Sequence, residues 1–336
     1  MIGKVIKLYC STVAGVVLGI FVSVLNTRVL PPAQYGDVKY VTNIISFLAG
    51  FLLLGYFVSG CRLIAIERNQ LEVRKLKGVL VIILAITAGV MMLAMGIFSG
   101  WNFFRGNSSM GGMFLIALPF CAAPLLLNYI NTVSQGDNRI NSIAFARLCP
   151  SGLYLVAAFI VYRIWGATQA RMLAMLLGAT VVIIVPMIIL ERPCFKNLRE
   201  SFQQLNATNR KYGIHVYMGS ICGVSLGYLA GITLGWFSSD NTDVGLFTLA
   251  LALAGPLAML PSIVGTVFFQ RFAREERISR KVIVSTVLIT VGSLLGYAIL
   301  IHPVVSLLYH KSYAAVSGYA AWLAIGASLN GLGDMF

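Results

Sequence analysis

Asn128, Asn131, Thr132 and Gln135 stand within an otherwise apolar run at i, i+3, i+4 and i+7, a spacing that puts all four on one face of an α-helix. Their amides and hydroxyls supply paired donors and acceptors. Such an array receives a polyhydroxyl ligand such as a sugar, or it hydrogen-bonds one membrane helix to another. Both readings stay open. Further along, Arg147, Ser151 and Tyr154 repeat the pattern at i, i+4 and i+7, while Arg28 and Lys39 flank a proline-containing turn and Arg62 closes an apolar run. Arg presents a planar fork of donors that matches phosphate oxygens. At the end of a membrane helix, however, the same residue serves as an anchor whose head reaches the interface. Taken singly, each cation reads as such an anchor. Taken together, Arg28, Arg62 and Arg147 would give a cavity a positive potential suited to a diphosphate.

The sequence has no H-E-x-x-H and no P-loop, and no enzyme, cofactor or metal chemistry is expected. His215, His302 and His310 stand apart near helix ends. The 6 cysteines include no C-x-x-C pair and read as small apolar residues. The 11 acidic residues, among them Asp37, Asp137, Glu191 and Asp243, all fall at loops or at the ends of apolar runs. A cation-coupled extruder would want a carboxylate in mid-membrane, so this distribution favours an anionic cargo.

The elements that position these residues follow from composition. Of 336 residues, 58% are hydrophobic and only 11% charged, against about a quarter charged in a soluble domain. The mean hydropathy is +0.86. Lipid must therefore be the solvent for most of the chain. Apolar runs long enough to span a bilayer occur near 5–27, 38–61, 78–99, 112–134, 145–164, 171–190, 213–237, 244–269, 282–301 and 313–336. The expected fold is thus all-α, a polytopic membrane bundle of ten helices.

The net charge of +14 would suggest nucleic acid in a soluble protein, but here it is read by location. Basic residues concentrate in alternate loops, notably Arg62 to Lys77, Arg192 to Lys211 and Arg271 to Lys281. That asymmetry orients both termini and those loops to the cytoplasm, and no nucleic-acid partner is implied. The hydrophilic stretch from Glu191 to Lys211 reads as a linker, which divides the chain into a lobe at 1–190 (six helices), a linker at 191–212 and a partial lobe at 213–336 (four helices). Tyr35-Gly36 and Val244-Gly245 open helices two and eight alike, a weak internal repeat. Small and hydroxyl residues along helix seven (Gly213, Tyr217, Ser220, Gly227, Gly231) read as close helix packing, and Pro256 and Pro261 as bends in helix eight. With only four helices in the second lobe, the chain is expected to be a truncated version of a longer protein.

Three segments carry a family resemblance. Arg28-Val29-Leu30 with Tyr35-Gly36 resembles the R-x-L-x-x-x-x-Y-G signature of polysaccharide (O-antigen) flippases in the multidrug/oligosaccharidyl-lipid/polysaccharide exporter superfamily. Asp243 to Phe247, followed by Phe268 to Ala273, is similar to that family's helix-eight region. Leu307 to Tyr313 resembles its turn into helix ten, although the family more often has Gly where His310 stands. The resemblance implies a two-lobed inner-membrane transporter working by alternating access. Its cargo would be a polyprenyl-diphosphate-linked oligosaccharide for surface polysaccharide, O-antigen or lipopolysaccharide synthesis, its surroundings membrane lipids, and its associates the polysaccharide polymerase machinery. On that reading Arg28, Arg62, Asn128, Asn131, Gln135, Arg147 and Tyr154 bind the cargo. A multidrug exporter on the same scaffold, or a membrane-bound polymerase or acyltransferase, is the alternative.

Overall fold

The structure, a computed structural model, describes the backbone of residues 2–272 and 280–333 and the side chains of 10–221, 223, 227–258 and 284–332. The Phe268 to Ala273 motif, the basic segment from Arg271 to Lys281, and Lys4, Lys7, Cys222, Pro261 and Asp334 lie outside the described side chains. Every described element is helical. In chain order these are α1 (Ile2–Val29), α2 (Pro32–Leu52), α3 (Tyr56–Ile66), α4 (Gln70–Phe104), α5 (Ser108–Ala117), α6 (Ala123–Gly136) and α7 (Ile140–Trp165). Then follow α8 (Gln169–Leu190), α9 (Leu198–Thr208), α10 (Ile214–Phe237), α11 (Thr242–Phe272), α12 (Arg280–Leu308) and α13 (Val316–Gly333).

Each expected apolar run coincides with helix, and the all-α membrane class is what is observed. Among the described residues, six helical stretches are long and apolar enough to cross a membrane, and the bent pair α2 and α3 makes a seventh. The other expected runs fall on α10, α11 and α13. Local sequence explains the interruptions. Pro119 and Pro124 remove backbone donors, and the chain passes through a 3-10 turn at Leu118–Phe120 between α5 and α6. Asn69 caps α4 by accepting from the Leu71 amide at 3.0 Å, and Thr168 caps α8 through the Arg171 amide at 3.3 Å. Gly166, with φ of 77°, ends α7. Large apolar side chains such as Leu93, Ile97, Phe104, Phe159, Ile189 and Leu190 stay exposed; water would penalise that surface and lipid accepts it.

By packing, Met1–Val22 and Asp37–Phe237 form one compact unit, and Ser23–Gly36 with Ser238–Phe336 form another. In the first, α6 is the most enclosed element: Leu125, Tyr129, Ile130 and Val133 have no exposure, with α3, α7 and α8 packed around it.

In the second unit, α11 and α13 meet along a seam of small residues. Ala250 and Ala254 face it from one helix and Ala320 and Ala324 from the other, all fully buried, the spacing that lets membrane helices approach closely. A Cβ on Gly331 would lie 2.5 Å from the Ala258 carbonyl oxygen. The signature residues around Tyr35 belong to this unit. The Tyr313 hydroxyl donates to the Leu30 carbonyl at 2.8 Å, and the Tyr35 and Tyr313 rings meet edge-on at 6.0 Å. His310, where the family more often has Gly, caps the short 3-10 turn Lys311–Tyr313 by accepting from the Ser312 amide.

Candidate functional site

The expected second span is not one straight helix. Leu54 and Gly55 both take left-handed backbone (φ 48° and 76°), and α3 leaves α2 at 58°. A break inside a span frees carbonyls that lipid cannot satisfy, so such breaks occur where protein or a polar cavity covers them. Here the Tyr217 hydroxyl donates to the Phe51 carbonyl at 2.6 Å, and the Asn209 side-chain amide donates to the Leu54 carbonyl at 3.1 Å. The Ser59 hydroxyl sits within reach of both the Gly55 carbonyl (3.1 Å) and Asn209 Oδ1 (3.2 Å). Asn209 opens a π turn that runs to Gly213, a feature that concentrates at functional sites. The approach is so close that a Cβ on Gly213 would lie 2.0 Å from Ser59 Oγ. The stretch read from sequence as a linker is therefore helix α9 plus a π turn, docked on the break by Asn206, which accepts from the Tyr56 hydroxyl at 3.3 Å, and by Asn209.

Beside the break lies a cavity of about 230 Å³. Ser46, Ala49, Gly50 and Leu53 line it from α2 and the residue beyond, Pro124 and Asn128 from α6, and Tyr217, Ser220, Ile221 and Tyr228 from α10. Among the described residues no charged side chain lines it. Its polar groups are hydroxyls and one amide on an apolar wall, the composition of a site for a neutral hydroxylated ligand. Of the polar stripe on α6, Asn128 alone reaches this cavity. Thr132 supports it from one turn below, its hydroxyl donating to the Asn128 carbonyl at 2.7 Å and lying 3.3 Å from Asn128 Oδ1. Asn131 Oδ1 is buried with no hydrogen-bond partner among the described residues, and Gln135 is exposed. Gly213 at the end of the π turn and Gly231 on α10 serve close packing, the latter against the Asn43 amide at 2.2 Å from its would-be Cβ; Tyr217 and Ser220 of α10 serve the cavity.

The three expected cations are found in three settings. Arg28 belongs to the second compact unit, where its Nε donates to the Leu308 carbonyl at 3.3 Å. Arg62 stacks over the Tyr212 ring, 4.6 Å from its centroid. Arg147 is exposed on α7 and donates to the Thr12 hydroxyl of α1 at 2.8 Å. Tyr154, one face-repeat along α7 from Arg147, is buried, its hydroxyl 3.1 Å from that of Tyr162.

Sequence reasoning missed a buried ion cluster. Lys77, counted above as a loop cation, is 3% exposed and pairs with both Asp137 and Glu191, the latter at 2.6 Å. Arg139 pairs with Glu191 at 2.8 Å and with Asp137 at 3.5 Å. Two cations and two carboxylates thus bind the ends of α4, α6, α7 and α8 to each other. Close by, the Cys194 amide donates to the Arg74 carbonyl at 2.8 Å, and Arg74 Nε donates to the Arg192 carbonyl at 2.8 Å. The signal lay in Lys77 itself, which borders the apolar run that begins at Gly78-Val79-Leu80, where an unpaired charge is costly.

Comparison with known proteins sets this geometry in context. The profile of a family described as "Polysaccharide biosynthesis protein" matches residues 2–269. Among solved structures, the chain is similar to a lipid II flippase, MurJ, in an inward closed conformation, with a TM-score of 0.68 at 14% identity over 98% of this chain and 74% of that one. It is also similar to an inward-facing multidrug resistance transporter of the MATE family in the MOP superfamily, with a TM-score of 0.62 at 15% identity over 96% of this chain and 82% of that one. No curated protein matches in sequence comparison. At these identities the likeness is one of fold.

Proposed function

The chain belongs to the polysaccharide biosynthesis protein family, and we propose that it carries a polyprenyl-diphosphate-linked oligosaccharide across the inner membrane by alternating access. The observation that carries this reading is the uncharged cavity at the α2/α3 break, walled by hydroxyls and the Asn128 amide. A sugar leaving water for the interior of a membrane protein must keep hydrogen-bond partners, because each one lost costs about 1–3 kcal/mol. Asn128, Ser46, Tyr217, Ser220 and Tyr228 supply them on three helices. The diphosphate, which cannot enter lipid unpaired, is assigned to the cations Arg147 and Arg62, with Tyr154, Asn131 and Gln135 completing the cargo-binding set of this unit; Arg28 is proposed as a cargo contact on the second unit.

The multidrug-exporter alternative requires a buried carboxylate that is free to take a cationic drug or a proton. Asp137 and Glu191 are enclosed, but both are neutralised by Lys77 and Arg139. That pairing favours the anionic cargo. The proposal includes lobes at 1–190 and 213–336 joined by the 191–212 segment, with both termini and α9 on the cytoplasmic side.

Complementation of surface polysaccharide in a flippase-deficient strain tests the reading. Arg147→Ala abolishes export, and Arg147→Lys keeps part of it, since lysine retains the charge and loses the planar fork. If Arg147→Ala, Arg62→Ala and Arg28→Ala each export normally at normal expression, these cations are interfacial anchors and the diphosphate assignment fails.

A further inference from the structure

We propose that the junction of α9, the π turn and α3 is a binding site for the headgroup of an anionic phospholipid, centred on Arg210 and Lys211 and separate from the uncharged cavity at the α2/α3 break; it rests on the proposed function only in that Arg62, at its edge, is shared with the cargo assignment. Two shallow hollows meet there. One, of about 340 Å³, is lined by Gln203, Asn206, Ala207, Arg210 and Lys211. The other, of about 280 Å³, is lined by Arg62, Leu63, Ile66, Thr208, Lys211 and Tyr212. Lys211 is common to both. Among the described residues neither hollow has an acidic side chain in its wall, and three cations, Arg62, Arg210 and Lys211, converge there.

The polar and apolar groups are arranged as a lipid requires. The stacking of Arg62 on Tyr212 holds the guanidinium by its face and leaves its N–H edge to donate, the geometry in which Arg takes phosphate oxygens. Asn206 and Gln203 add neutral donors for a glycerol headgroup. Leu63 and the exposed Ile66 border the cations on α3, while Phe195, Phe202 and Tyr212 are exposed around α9, matching the aromatic residues that sit at headgroup level. Helix α9 is fixed at the end of the α4 span, since its lead-in segment bonds Arg74 through Cys194. A phosphate drawn to Lys211 would thus have acyl chains beside apolar helices. A soluble anion would gain nothing from the Leu63 and Ile66 border, which is why a lipid is the favoured occupant.

The test is native mass spectrometry of the purified full chain in detergent, titrated with phosphatidylglycerol or phosphatidylcholine. Wild type is expected to retain phosphatidylglycerol selectively. Each surface cation contributes roughly fivefold to binding an anionic lipid, so Arg210→Gln with Lys211→Gln should weaken retention by about 25-fold, while Arg68→Gln with Arg105→Gln leaves it unchanged. Unchanged retention in the first variant, or an equal loss in the second, overturns the site. Displacement of the lipid by millimolar inorganic pyrophosphate overturns it in favour of a soluble anion. Should the neutral variant melt early, Arg210→Lys with Lys211→Arg keeps the charge: retained lipid supports the site and lost lipid contradicts it. Arg62 stays intact throughout, and lipid retention is read without export, so this result and the cargo assignment stand or fall separately.

Discussion

Gly36 and Gly245 face one another so closely that a Cβ added to Gly245 would lie 3.1 Å from the Gly36 Cα. These are the two glycines whose dipeptides suggested an internal repeat. Their similarity in sequence and their contact in space have one physical cause: two helix starts, α2 and α11, cross where neither can carry a side chain. Gly36 is the tighter, for its Cβ would lie 1.7 Å from the Asn241 carbonyl oxygen, an atom of backbone that cannot rotate away.

Gly36→Ala is therefore expected to destabilise the protein by at least the roughly 1–3 kcal/mol typical of overpacking. Gly112→Ala, in helix α5 with nothing within 4 Å of its Cβ, is expected to raise stability by about 0.4–1 kcal/mol. Thermal melting in detergent separates them; equal melting temperatures would show that the crossing yields.

Lys77→Ala leaves Glu191 and Asp137 enclosed with only Arg139 for a partner. Breaking such a buried pair costs about 3–5 kcal/mol. Arg139→Ala removes a cation that is 52% exposed, and solvent screening reduces its effect to about 1 kcal/mol or less. Chemical denaturation of the two variants should rank them in that order, and Lys77→Met with Asp137→Asn and Glu191→Gln should recover part of the loss.

Gly231→Ala drives a methyl into the Asn43 amide, at a point where α10 meets α2. Asn43→Ala opens that space, so the double variant should melt closer to wild type than Gly231→Ala alone. Additive losses would place the crowding elsewhere.

Much of this fold was legible because membrane helices are written as long apolar runs, and among the described residues each run falls mainly on helix, two of them interrupted at 53–55 and 118–122. The break at Leu54-Gly55 was hidden because Leu53-Leu54-Gly55-Tyr56 is as apolar as its surroundings; its cause is tertiary, an interlock with Asn209 and Gly213 more than 150 positions away. Helix α9 was hidden for the opposite reason. Its polar composition reads as loop, and only Ser201 and Leu205 are buried. The Asn128 face was readable from spacing, yet spacing could not say that Asn128 alone meets the cavity while Gln135 stays outside. The ion cluster joins residues 60 and 114 positions apart, which no local pattern encodes.

Reading the 191–212 segment as cytoplasmic predicts that a single cysteine at Asn206 labels only after permeabilisation, while one at Ser108 labels in intact cells. Labelling of position 206 from outside would invert the topology.

The central claim is that the uncharged cavity at the α2/α3 break receives the cargo, and flipping of a polyprenyl-diphosphate-linked oligosaccharide in proteoliposomes tests it most directly. The wild-type chain should move the lipid to the opposite leaflet. Asn128→Leu, which removes the one side-chain amide among the described lining residues, should slow flipping by about tenfold, the weight of one lost buried hydrogen bond, with its melting temperature preserved. Wild-type rates for a folded Asn128→Leu would contradict the account.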